Sequence, residues 1–430
     1  MLTGTMDLKG KHILLVGYRG KISHIKTAID QGVLFDLLIN KDEVKDEHNE
    51  IFDSVLTVKD IYDWNDIEPV LQKDKYDGVF TRYEDSTVIV SAIAHHLGLR
   101  GVPFKDVLKS RNKYLMRKAF ADHSVPSADY VLASSFTDTA EFTEKHGFPL
   151  IVKQIYGIHS KYVAKVDSGE ELKTTIEFFL ESLAKESGHM YGQLQNFYED
   201  ADAPDPIKNV LVEECLSGEE LTVDAFVVDG KIFFTPICKY TMPDELGFSD
   251  HHLPIRTMPY DVTEDEQSFI FDAVRKSLVS LGANHCASHV EIFFDRETKN
   301  CRLIEVAVRG GGFRAEMVRH TCDGDYDLGL VRASMGMDPQ VKNIPNKYVS
   351  VAEVFAPENG KLSSIDTSFI ENNPDVHRIT WNRIVGDKVG RASDGKNFIL
   401  KFLVEGKTYE EAEGKTRELL IKIRDSIQVN

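Results

Sequence analysis

Short apolar runs alternate with amphipathic segments over the first hundred residues of the chain. The apolar runs have the length of β-strands, and the segments between them repeat apolar residues at the spacing of an α-helix. Strands and helices that alternate in this way are typical of βαβ units around a parallel sheet. We therefore predict a parallel α/β domain over residues 1–108. Its predicted strands cover residues 12–16, 33–40 and 76–82, and its predicted helices cover residues 22–31 and 86–97.

The pattern changes near residue 109, after which strands and helices no longer alternate regularly. A helix that we expect Ser110 to cap opens this region, and an apolar strand follows over residues 148–153. Strands dominate after residue 210, and the end of the chain again mixes strands with a helix. The fold class is therefore α/β followed by α+β. The predicted α+β domains cover residues 109–338, in two lobes of about 125–205 and 206–338, and residues 339–430, a small C-terminal domain.

The last helix has the clearest start signal in the chain. Thr408 is followed three residues later by Glu411, which predicts a capping box. Beyond this cap, mostly apolar side chains recur at helical spacing and predict one buried stripe. The stripe consists of Ala412, Thr416, Leu419, Leu420, Ile423 and Ile427.

The composition excludes several classes of protein. With 430 residues, of which 42% are hydrophobic, the chain is long enough for two to four packed units. It contains no run of eighteen apolar residues that could cross a membrane. The apolar run at residues 12–16 leaves no room for a signal peptide before it, so we expect a cytoplasmic protein. Five cysteines, none in a CxxC spacing, argue against a disulfide framework and a structural zinc site.

The formal net charge of −18 repels nucleic acid phosphates and anionic lipid surfaces, and no segment rich in Lys and Arg offsets it. We therefore expect neither nucleic acid nor a membrane as a partner. An anionic substrate then requires a local cluster of cations. The turn at residues 17–23 contains two glycines and Lys21, but only two residues separate the glycines and Ile22 follows the lysine. This spacing is not that of a P-loop, so we expect the glycines only to shape the turn.

Two predicted strands on either side of Thr298 each contain one glutamate. If the strands pair in an antiparallel hairpin about Thr298, Glu291 lies opposite Glu305, and Phe293 lies opposite Leu303. Directly opposed carboxylates destabilise a sheet unless one is protonated or a cation lies between them, and oxygen ligands suit Mg²⁺. The pattern predicts a metal site at Glu291 and Glu305. A register shifted by one residue, or two carboxylates facing solvent, is the alternative.

An arginine and three glycines follow directly after the second strand of this hairpin. Glycines let backbone N–H groups approach an anion closely, and the guanidinium of Arg309 binds carboxylate or phosphate oxygens in a fixed geometry. Residues 309–314 therefore predict a site for a transferring phosphoryl group, with a merely flexible loop as the alternative. Lys153, at the end of an apolar strand, is a second candidate phosphate ligand. A lysine that extends to solvent at a sheet edge is nevertheless the commoner case.

In this order and spacing, the segments between residues 109 and 333 resemble the ATP-grasp superfamily of carboxylate ligases. The resemblance implies that Lys113 and Lys153 contact the phosphates of ATP. It also implies that residues 157–162, with Ser160, form a glycine-rich loop that covers the phosphates. The flanking regions then correspond to the Rossmann-like α/β domain that precedes the ATP-grasp fold and to the small α+β domain that follows it.

The resemblance assigns further roles in the second half of this region. It implies that Glu220 binds the ribose hydroxyls of ATP. It also implies that Glu291 and Glu305 are the magnesium ligands, which agrees with the prediction made from their spacing. The residues implied for the strand that holds the adenine are Glu213, Glu214 and Leu216.

Two positions depart from the pattern of the superfamily. Many members carry Asn as a third metal ligand two residues after the second glutamate, where this chain has Ala307. This variant resembles the branch that contains the L-amino-acid ligases, and it leaves the ligands of a second ion open. The covering loop also has Lys161 where glycine is usual.

The resemblance implies an ADP-forming carbon–nitrogen ligase that uses ATP and two Mg²⁺ ions, with Mn²⁺ as an alternative metal. A carboxylate attacks the γ-phosphate beside Lys153 and Arg309, and an amine then attacks the acyl phosphate. The amides of residues 310–312, Gly311 among them, stabilise the oxyanion. The implied partners are small-molecule carboxylate and amine substrates, with an amino acid as one of them, and a second copy of the chain in a homodimer.

Three other functions remain open on the sequence alone. The chain could load an amino acid onto a carrier protein, act as a carboxylase through carboxyphosphate, or bind nucleotides as a regulator without catalysis. Residues 239–259 lie between the motifs of the superfamily and either line the acceptor pocket or form a surface loop. The candidate pocket residues in that segment are His251, His252 and Arg256.

Overall fold

The computed structural model describes residues 8–18, 22–157, 162–186, 203–248, 255–392 and 397–430. Its N-terminal part is a parallel four-stranded sheet in the order β3-β2-β1-β4, which confirms the predicted α/β architecture. The strands are β1 (His12–Val16), β2 (Leu34–Asn40), β3 (Ser54–Val58) and β4 (Gly78–Phe80). The helices are α1 (Lys26–Asp30), α2 (Asp46–Ile51), α3 (Trp64–Ile67), α4 (Thr87–Leu97) and α5 (Phe104–Arg111).

Both faces of this sheet are buried, as is usual when helices cover a parallel sheet on both sides. Along β1, Ile13 and Leu15 belong to one hydrophobic cluster, and Leu14 and Val16 belong to another on the opposite face. The helix predicted over residues 22–31 is shorter in the structure, because a 3₁₀ turn precedes α1. The 3₁₀ segments among the described residues are Ile22–His24, Lys41–Glu43, Glu68–Val70, Glu84–Ser86, Phe136–Thr139 and Asp244–Leu246.

Helix α6 (Lys113–Asp122) begins at a cap that differs from the prediction. Asn112, not Ser110, accepts hydrogen bonds from the N–H groups of Tyr114 and Leu115. The reason is that the extended backbone of Asn112 separates α5 from α6, so Ser110 lies inside the last turn of α5. The N–H of Lys113 then donates a hydrogen bond of 2.7 Å to the carbonyl oxygen of Ile155, which fixes the start of α6 against the first lobe.

The first lobe is an antiparallel four-stranded sheet in the order β5-β8-β6-β7. Strand β8 pairs with both β5 and β6, so the lobe extends to Glu214 rather than ending at the predicted residue 205. The strands are β5 (Tyr130–Ala133), β6 (Leu150–Gln154), β7 (Val163–Val166) and β8 (Val210–Glu214), and the helices are α7 (Ala140–His146) and α8 (Gly169–Glu186).

The second lobe and the C-terminal region share one antiparallel nine-stranded sheet in the order β14-β13-β9-β11-β12-β15-β19-β17, with β10 paired to β9. Strand β12 pairs with β15, so the sheet runs across the predicted boundary at residue 338. Its strands are β9 (Glu219–Val228), β10 (Lys231–Phe234), β11 (Cys238–Thr241), β12 (Ile255–Met258), β13 (Cys286–Asp295), β14 (Asn300–Ala307), β15 (Tyr348–Val354), β17 (Val376–Trp381) and β19 (Leu400–Gly406).

The remaining elements surround this sheet. A small three-stranded sheet, in the order β18-β16-β20, lies in the C-terminal region. No helix among the described residues has the length and apolar character needed to cross a membrane. The small sheet consists of β16 (Gly360–Ser364), β18 (Lys388–Val389) and β20 (Gln428–Val429), and the helices are α9 (Glu264–Ser280), α10 (Arg314–Cys322), α11 (Tyr326–Ser334), α12 (Ser368–Glu371) and α13 (Tyr409–Ser426).

The last helix confirms its predicted stripe, because all six stripe residues are buried. Thr408 caps α13 by accepting a hydrogen bond from the N–H of Glu411, as predicted. The carboxylate of Glu411, however, accepts from the N–H of Lys407 rather than from that of Thr408. The reciprocal bond of the predicted capping box is therefore displaced by one residue.

One face of the nine-stranded sheet is apolar, and the other carries buried apolar residues, among them Phe226 and Val351, as well as polar ones. Val290 and Ile292 belong to the core beneath α9, and Ala352 and Phe402 belong to the core beneath α13. Because side chains alternate along a strand, the residues between these positions lie on the opposite face. That opposite face carries the candidate site.

Candidate functional site

The two glutamates of the hairpin face each other. Strands β13 and β14 pair with Glu291 opposite Glu305, which confirms the predicted register at this point. Phe293 lies opposite Arg302, however, and not opposite Leu303 as predicted. A β-bulge between Glu291 and Ile292 shifts the register by one residue.

The bulge is stabilised from outside the hairpin. The carbonyl oxygen of Ile304, the extra residue at the bulge, accepts a hydrogen bond of 2.8 Å from the guanidinium of Arg117 on α6. Arg117 is almost fully buried. A buried carbonyl without a partner costs free energy, so this contact supports the irregular register.

The surroundings of the two glutamates fit a magnesium ion that takes some ligands from the protein and others from a nucleotide. The ammonium of Lys113 lies 3.2 Å from Glu305, and Nε2 of His289 lies 3.4 Å from Glu291. The two carboxylate side chains remain 31% and 27% exposed, so a ligand can reach both. Within the described part of the chain, no group of three or more His, Cys, Asp or Glu is arranged to hold a metal alone. Mg²⁺ suits this arrangement because it commonly takes one or two carboxylates together with phosphate oxygens and water.

Glu220 adds a third carboxyl group to this neighbourhood. It lies opposite Phe293 on the adjacent strand β9. Burial, together with the negative charge of Glu291, raises the pKa of Glu220 to about 8. The repulsion between Glu220 and Glu291 decreases when a cation binds nearby. The predicted role of Glu220 toward the ribose stays a prediction.

Asp224, which the sequence analysis missed, is the centre of a buried network behind the glycine loop. Its carboxylate accepts hydrogen bonds from the amide of Gly311 (2.8 Å), the hydroxyl of Tyr326 (2.5 Å) and the guanidinium of Arg314 (3.3 Å). Nδ1 of His289 lies 2.6 Å from the same carboxylate. Burial alone would raise the pKa of Asp224, but the charges of His289 and Arg314 outweigh it and hold the pKa at about 2. The network therefore links the loop to the strand that carries Glu291.

The contact with Asp224 bears on the predicted role of Gly311 toward an oxyanion, which stays a prediction. In this structure the amide of Gly311 donates to this carboxylate. A Cβ atom on Gly311 would lie 2.5 Å from Nδ1 of His289, and one on Gly310 would lie 2.4 Å from the hydroxyl of Tyr326. Close packing therefore requires glycine at both positions. The loop is anchored rather than merely flexible.

Glu84 is a second residue that the sequence analysis missed, and it holds Arg309. Its carboxylate lies 2.6 Å from Nε of Arg309 and accepts a hydrogen bond of 2.8 Å from Arg111. Burial alone would raise the pKa of Glu84, but Arg309 and Arg111 outweigh it and lower the pKa to about 2. Glu84 follows strand β4, and ligand sites often lie beyond the carboxyl ends of parallel strands. That position is the signal that could have identified Glu84.

The predicted phosphate ligand Lys153 contacts Glu213, which was predicted to lie on the strand that holds the adenine. The ammonium of Lys153 lies 2.6 Å from Glu213, and Arg117 binds the same carboxylate through two hydrogen bonds of 2.8 and 3.2 Å. Burial lowers the pKa of Lys153 to about 8, although the charge of Glu213 opposes this change. The structure thus places both residues on neighbouring strands of the first lobe, and their roles toward ATP stay predictions.

The other predicted nucleotide ligands differ in their surroundings. Glu214 forms an ion pair with Arg302 and accepts a hydrogen bond of 2.8 Å from the amide of Asp129. Leu216 is half-buried in the turn between β8 and β9. Three predicted site residues lie outside the described residues, namely Ser160, His251 and His252.

Comparison with known proteins agrees with this geometry. The family model described as "ATP-grasp domain" matches residues 146–316. The chain is 26% identical to the L-arginine-specific L-amino acid ligase of Bacillus subtilis over 293 residues, which cover 66% of this chain and 62% of the relative. It is 24% identical to the alanine–anticapsin ligase of Bacillus subtilis (strain 168) over 253 residues, which cover 55% of this chain and 49% of that enzyme. The matches thus span between about half and three fifths of these relatives.

A solved structure extends the likeness to the whole fold. The crystal structure of the L-amino acid ligase from Bacillus licheniformis superposes with a TM-score of 0.78 at 17% identity, covering 98% of this chain and 99% of that one. At this level of identity the superposition shows the fold alone. Residues 146–316 therefore match an ATP-grasp domain, the chain has the ATP-grasp fold, and the proteins that it resembles include L-amino-acid ligases.

Proposed function

We propose that this protein is an ADP-forming ligase that activates a carboxylate as an acyl phosphate and joins it to an amine, with an amino acid as one substrate. The observation that carries the proposal is the opposed pair Glu291 and Glu305, which lies beside a loop with an anchored arginine, Arg309. Two relatives are named as an L-arginine-specific L-amino acid ligase and an alanine–anticapsin ligase, and these names support the same class of reaction.

In the first step, an oxygen of the substrate carboxylate attacks the γ-phosphorus of ATP, and the bond to the ADP oxygen breaks. Lys113 and Lys153 are the cations of the site that would bind the phosphates. Mg²⁺ held by Glu291 and Glu305 would supply further neutralisation of the phosphate charge. Arg309, oriented by Glu84, would meet the oxygens of the transferring group.

In the second step, the amine nitrogen attacks the acyl carbon. The new C–N bond forms, the C–O bond to phosphate breaks, and the amine loses a proton. The amides of Gly310 and Gly312 have no acceptor among the described residues, in contrast to that of Gly311. We therefore assign oxyanion stabilisation to Arg309 and these two amides, and we assign to Gly311 the anchoring of the loop.

The test is ADP and phosphate release from Mg·ATP with the twenty L-amino acids, singly and in pairs, with the product identified by mass. Replacing Glu305 with Gln keeps the shape of the side chain and removes its charge. We expect the variant to lose at least about 100-fold in ADP formation, the order found for one lost electrostatic contact in a catalytic site. Glu297→Gln, on the exposed turn of the same hairpin, is the matched control and should keep full activity.

Three results would contradict the proposal in different ways. A Glu305→Gln variant with wild-type activity would remove the metal role of the hairpin. Release of ADP that depends on bicarbonate and not on any amino acid would indicate a carboxylase. Turnover that requires a carrier protein as the acceptor would indicate a loading enzyme rather than a ligase for free amines.

A further inference from the structure

Arg111, the last residue of α5, lies where three parts of the chain meet. Its guanidinium donates a hydrogen bond of 2.8 Å to Glu84, which follows β4 of the parallel sheet. Its Cζ atom lies 4.6 Å from the centre of the ring of Tyr156, which follows β6 of the first lobe. The second oxygen of Glu84 lies 2.6 Å from Nε of Arg309 in the loop after β14. One buried guanidinium therefore links the parallel sheet, the first lobe and the glycine loop.

Helix α5 holds Arg111 in a fixed position. Val107 and Leu108 on this helix belong to the hydrophobic core beneath α9. Gly282, in the turn after α9, lies so close to α5 that a Cβ atom on it would be 2.5 Å from the carboxyl group of Asp106. A helix packed this tightly cannot shift without opening voids or overlapping its neighbours. Arg111 is therefore fixed to the core of the second lobe.

Tyr156 attaches the strand that carries Lys153 to the same core. It lies three residues beyond Lys153, yet its side chain belongs to the core beneath α9 and is only 3% exposed. The carbonyl oxygen of Ile155 accepts a hydrogen bond of 2.7 Å from the N–H of Lys113, two residues after Arg111. A buried guanidinium over an aromatic ring adds a cation–π attraction to these contacts. The end of β6 is thus attached to the second lobe at residues 155 and 156.

Arg111 also fixes the orientation of Glu84. Each oxygen of the Glu84 carboxylate faces one guanidinium, Oε1 that of Arg111 and Oε2 that of Arg309. Burial alone would lower the pKa of Arg111, but Tyr156 and Glu84 outweigh it and raise the pKa, so the guanidinium stays charged. A carboxylate held at one oxygen by a fixed cation directs its other oxygen in a defined direction. Arg111 therefore determines, through Glu84, where Arg309 is held.

We infer that Arg111 is a positioning residue that sets Arg309 and Lys153 relative to each other, through Glu84 on one side and Tyr156 on the other. The inference rests on the proposed function, in which these two cations bind the phosphates and the transferring group from different lobes. Arg111 acts through its two neighbours and not by contact with a substrate. The two links predict separate effects, because Glu84 controls Arg309 and Tyr156 controls the strand of Lys153.

The link through Tyr156 is tested by calorimetric titration with the β,γ-imido analogue of ATP and Mg²⁺, which requires no turnover. We expect Arg111→Lys and Tyr156→Leu each to raise the Kd by roughly 3- to 30-fold, the order of one cation–π contact. The reason is that a smaller fraction of the molecules then holds Lys153 in place for the phosphates. The double variant should bind no more weakly than the weaker single variant, because both substitutions break the same contact. Tyr156→Phe, which keeps the ring, should restore most of the affinity.

The link through Glu84 is tested by kcat at saturating Mg·ATP, with the substrates that the ADP-release screen identifies. We expect Arg111→Met to lower kcat by at least about tenfold, because Glu84 no longer directs Arg309. Arg111→Lys keeps the charge opposite Glu84 and should restore most of this loss, although it still binds the analogue weakly. A residue with a merely structural role would not separate the rate from the affinity in this way.

Arg275→Lys is the matched control, because Arg275 lies over the ring of Phe234 at 5.4 Å on the exposed side of α9. It should change neither the Kd nor kcat. The inference is overturned if folded Arg111→Lys and Tyr156→Leu variants bind the analogue as the wild type does, or if Arg111→Met keeps the wild-type kcat. Additive losses of affinity in the double variant would overturn it as well. Weaker binding in both single variants, with no ADP formation by the wild type on any substrate, would support the link through Tyr156 and contradict the proposed function.

Discussion

Replacing Asp224 with Asn tests whether the buried network behind the glycine loop stabilises the protein. The substitution keeps the size of the side chain and removes its charge. One of the two oxygens that accept hydrogen bonds becomes an amide group, which donates. The donors that face this position, from Gly311, Tyr326 and Arg314, are then partly unpaired in an interior that excludes water.

Two estimates give the size of the effect. The pKa of Asp224 is lowered from 3.8 to about 2 in the folded protein. A difference of about two pKa units corresponds to roughly 2–3 kcal/mol in favour of the charged form. Removal of one partner of a fully buried ion pair costs about 3–5 kcal/mol. The larger value applies to Asp224→Asn, because the substitution leaves Arg314, which is also fully buried, without its counter-charge.

We therefore expect the free energy of unfolding to fall by about 3–5 kcal/mol at pH 7, measured by urea denaturation with circular dichroism. Because the pKa in the folded state is lowered, this stabilisation is complete above pH 3.8 and is lost as the pH falls through about 2. Asp129→Asn is the control, because Asp129 is 53% exposed and its closest cation, Lys145, is also exposed. We expect it to cost less than about 1 kcal/mol.

The reasoning fails if Asp224→Asn is as stable as Asp129→Asn. That result would mean that the ion pairs and hydrogen bonds of the network stabilise the fold by no more than the desolvation of its charges destabilises it. A variant that is destabilised but keeps its kcat would separate the two roles of the network. In that case Asp224 would stabilise the fold without positioning the loop for catalysis.

Three further predictions concern single residues of the site. Glu220 has a raised pKa of about 8, so the stability that it contributes is complete below its ordinary pKa of 4.5 and is lost as the pH rises through 8. Without metal or nucleotide, Glu220→Gln should melt at a higher temperature than the wild type at pH 8.5 and at a similar one near pH 4.5; a lower melting temperature at pH 8.5 would contradict this. Glu84→Gln should lower kcat by at least about tenfold by releasing Arg309, with ATP affinity unchanged in equilibrium binding. An unchanged kcat would show that Arg309 needs no such partner. Asn112→Ala should cost about 1 kcal/mol in urea denaturation through loss of the α6 cap, and a change below 0.3 kcal/mol, roughly the scatter of such measurements, would exclude the cap as a source of stability.

Local sequence patterns were sufficient to predict the features that depend on neighbouring residues. The opposition of Glu291 and Glu305 follows from a hairpin whose short turn sets the register. The stripe of α13 and the cap at Thr408 depend only on helical spacing and on one side chain at the helix start. In each of these cases the interacting residues lie within about fifteen positions of each other.

The features that sequence analysis missed depend on contacts between distant segments. The bulge at Ile304 is stabilised by Arg117, which is 187 positions away. Asp224 and Glu84 each contact residues of the loop after β14. Nothing in the neighbourhood of Asp224 marks it as a site residue, and Glu84 is marked only by its position after β4. Local periodicity cannot identify such partners, because it is the tertiary fold that brings these distant residues together.

The pairing of β12 with β15 limits how this protein can be divided experimentally. A fragment that ended before Tyr348 would leave the backbone N–H and C=O groups along one side of β12 without partners. Ile255, which is fully buried beneath α13, would become exposed in the same fragment. An open, partly apolar edge strand recruits strands from other molecules, so we expect such a fragment to aggregate. Expression of fragments and domain-exchange experiments should therefore keep residues 255–430 together.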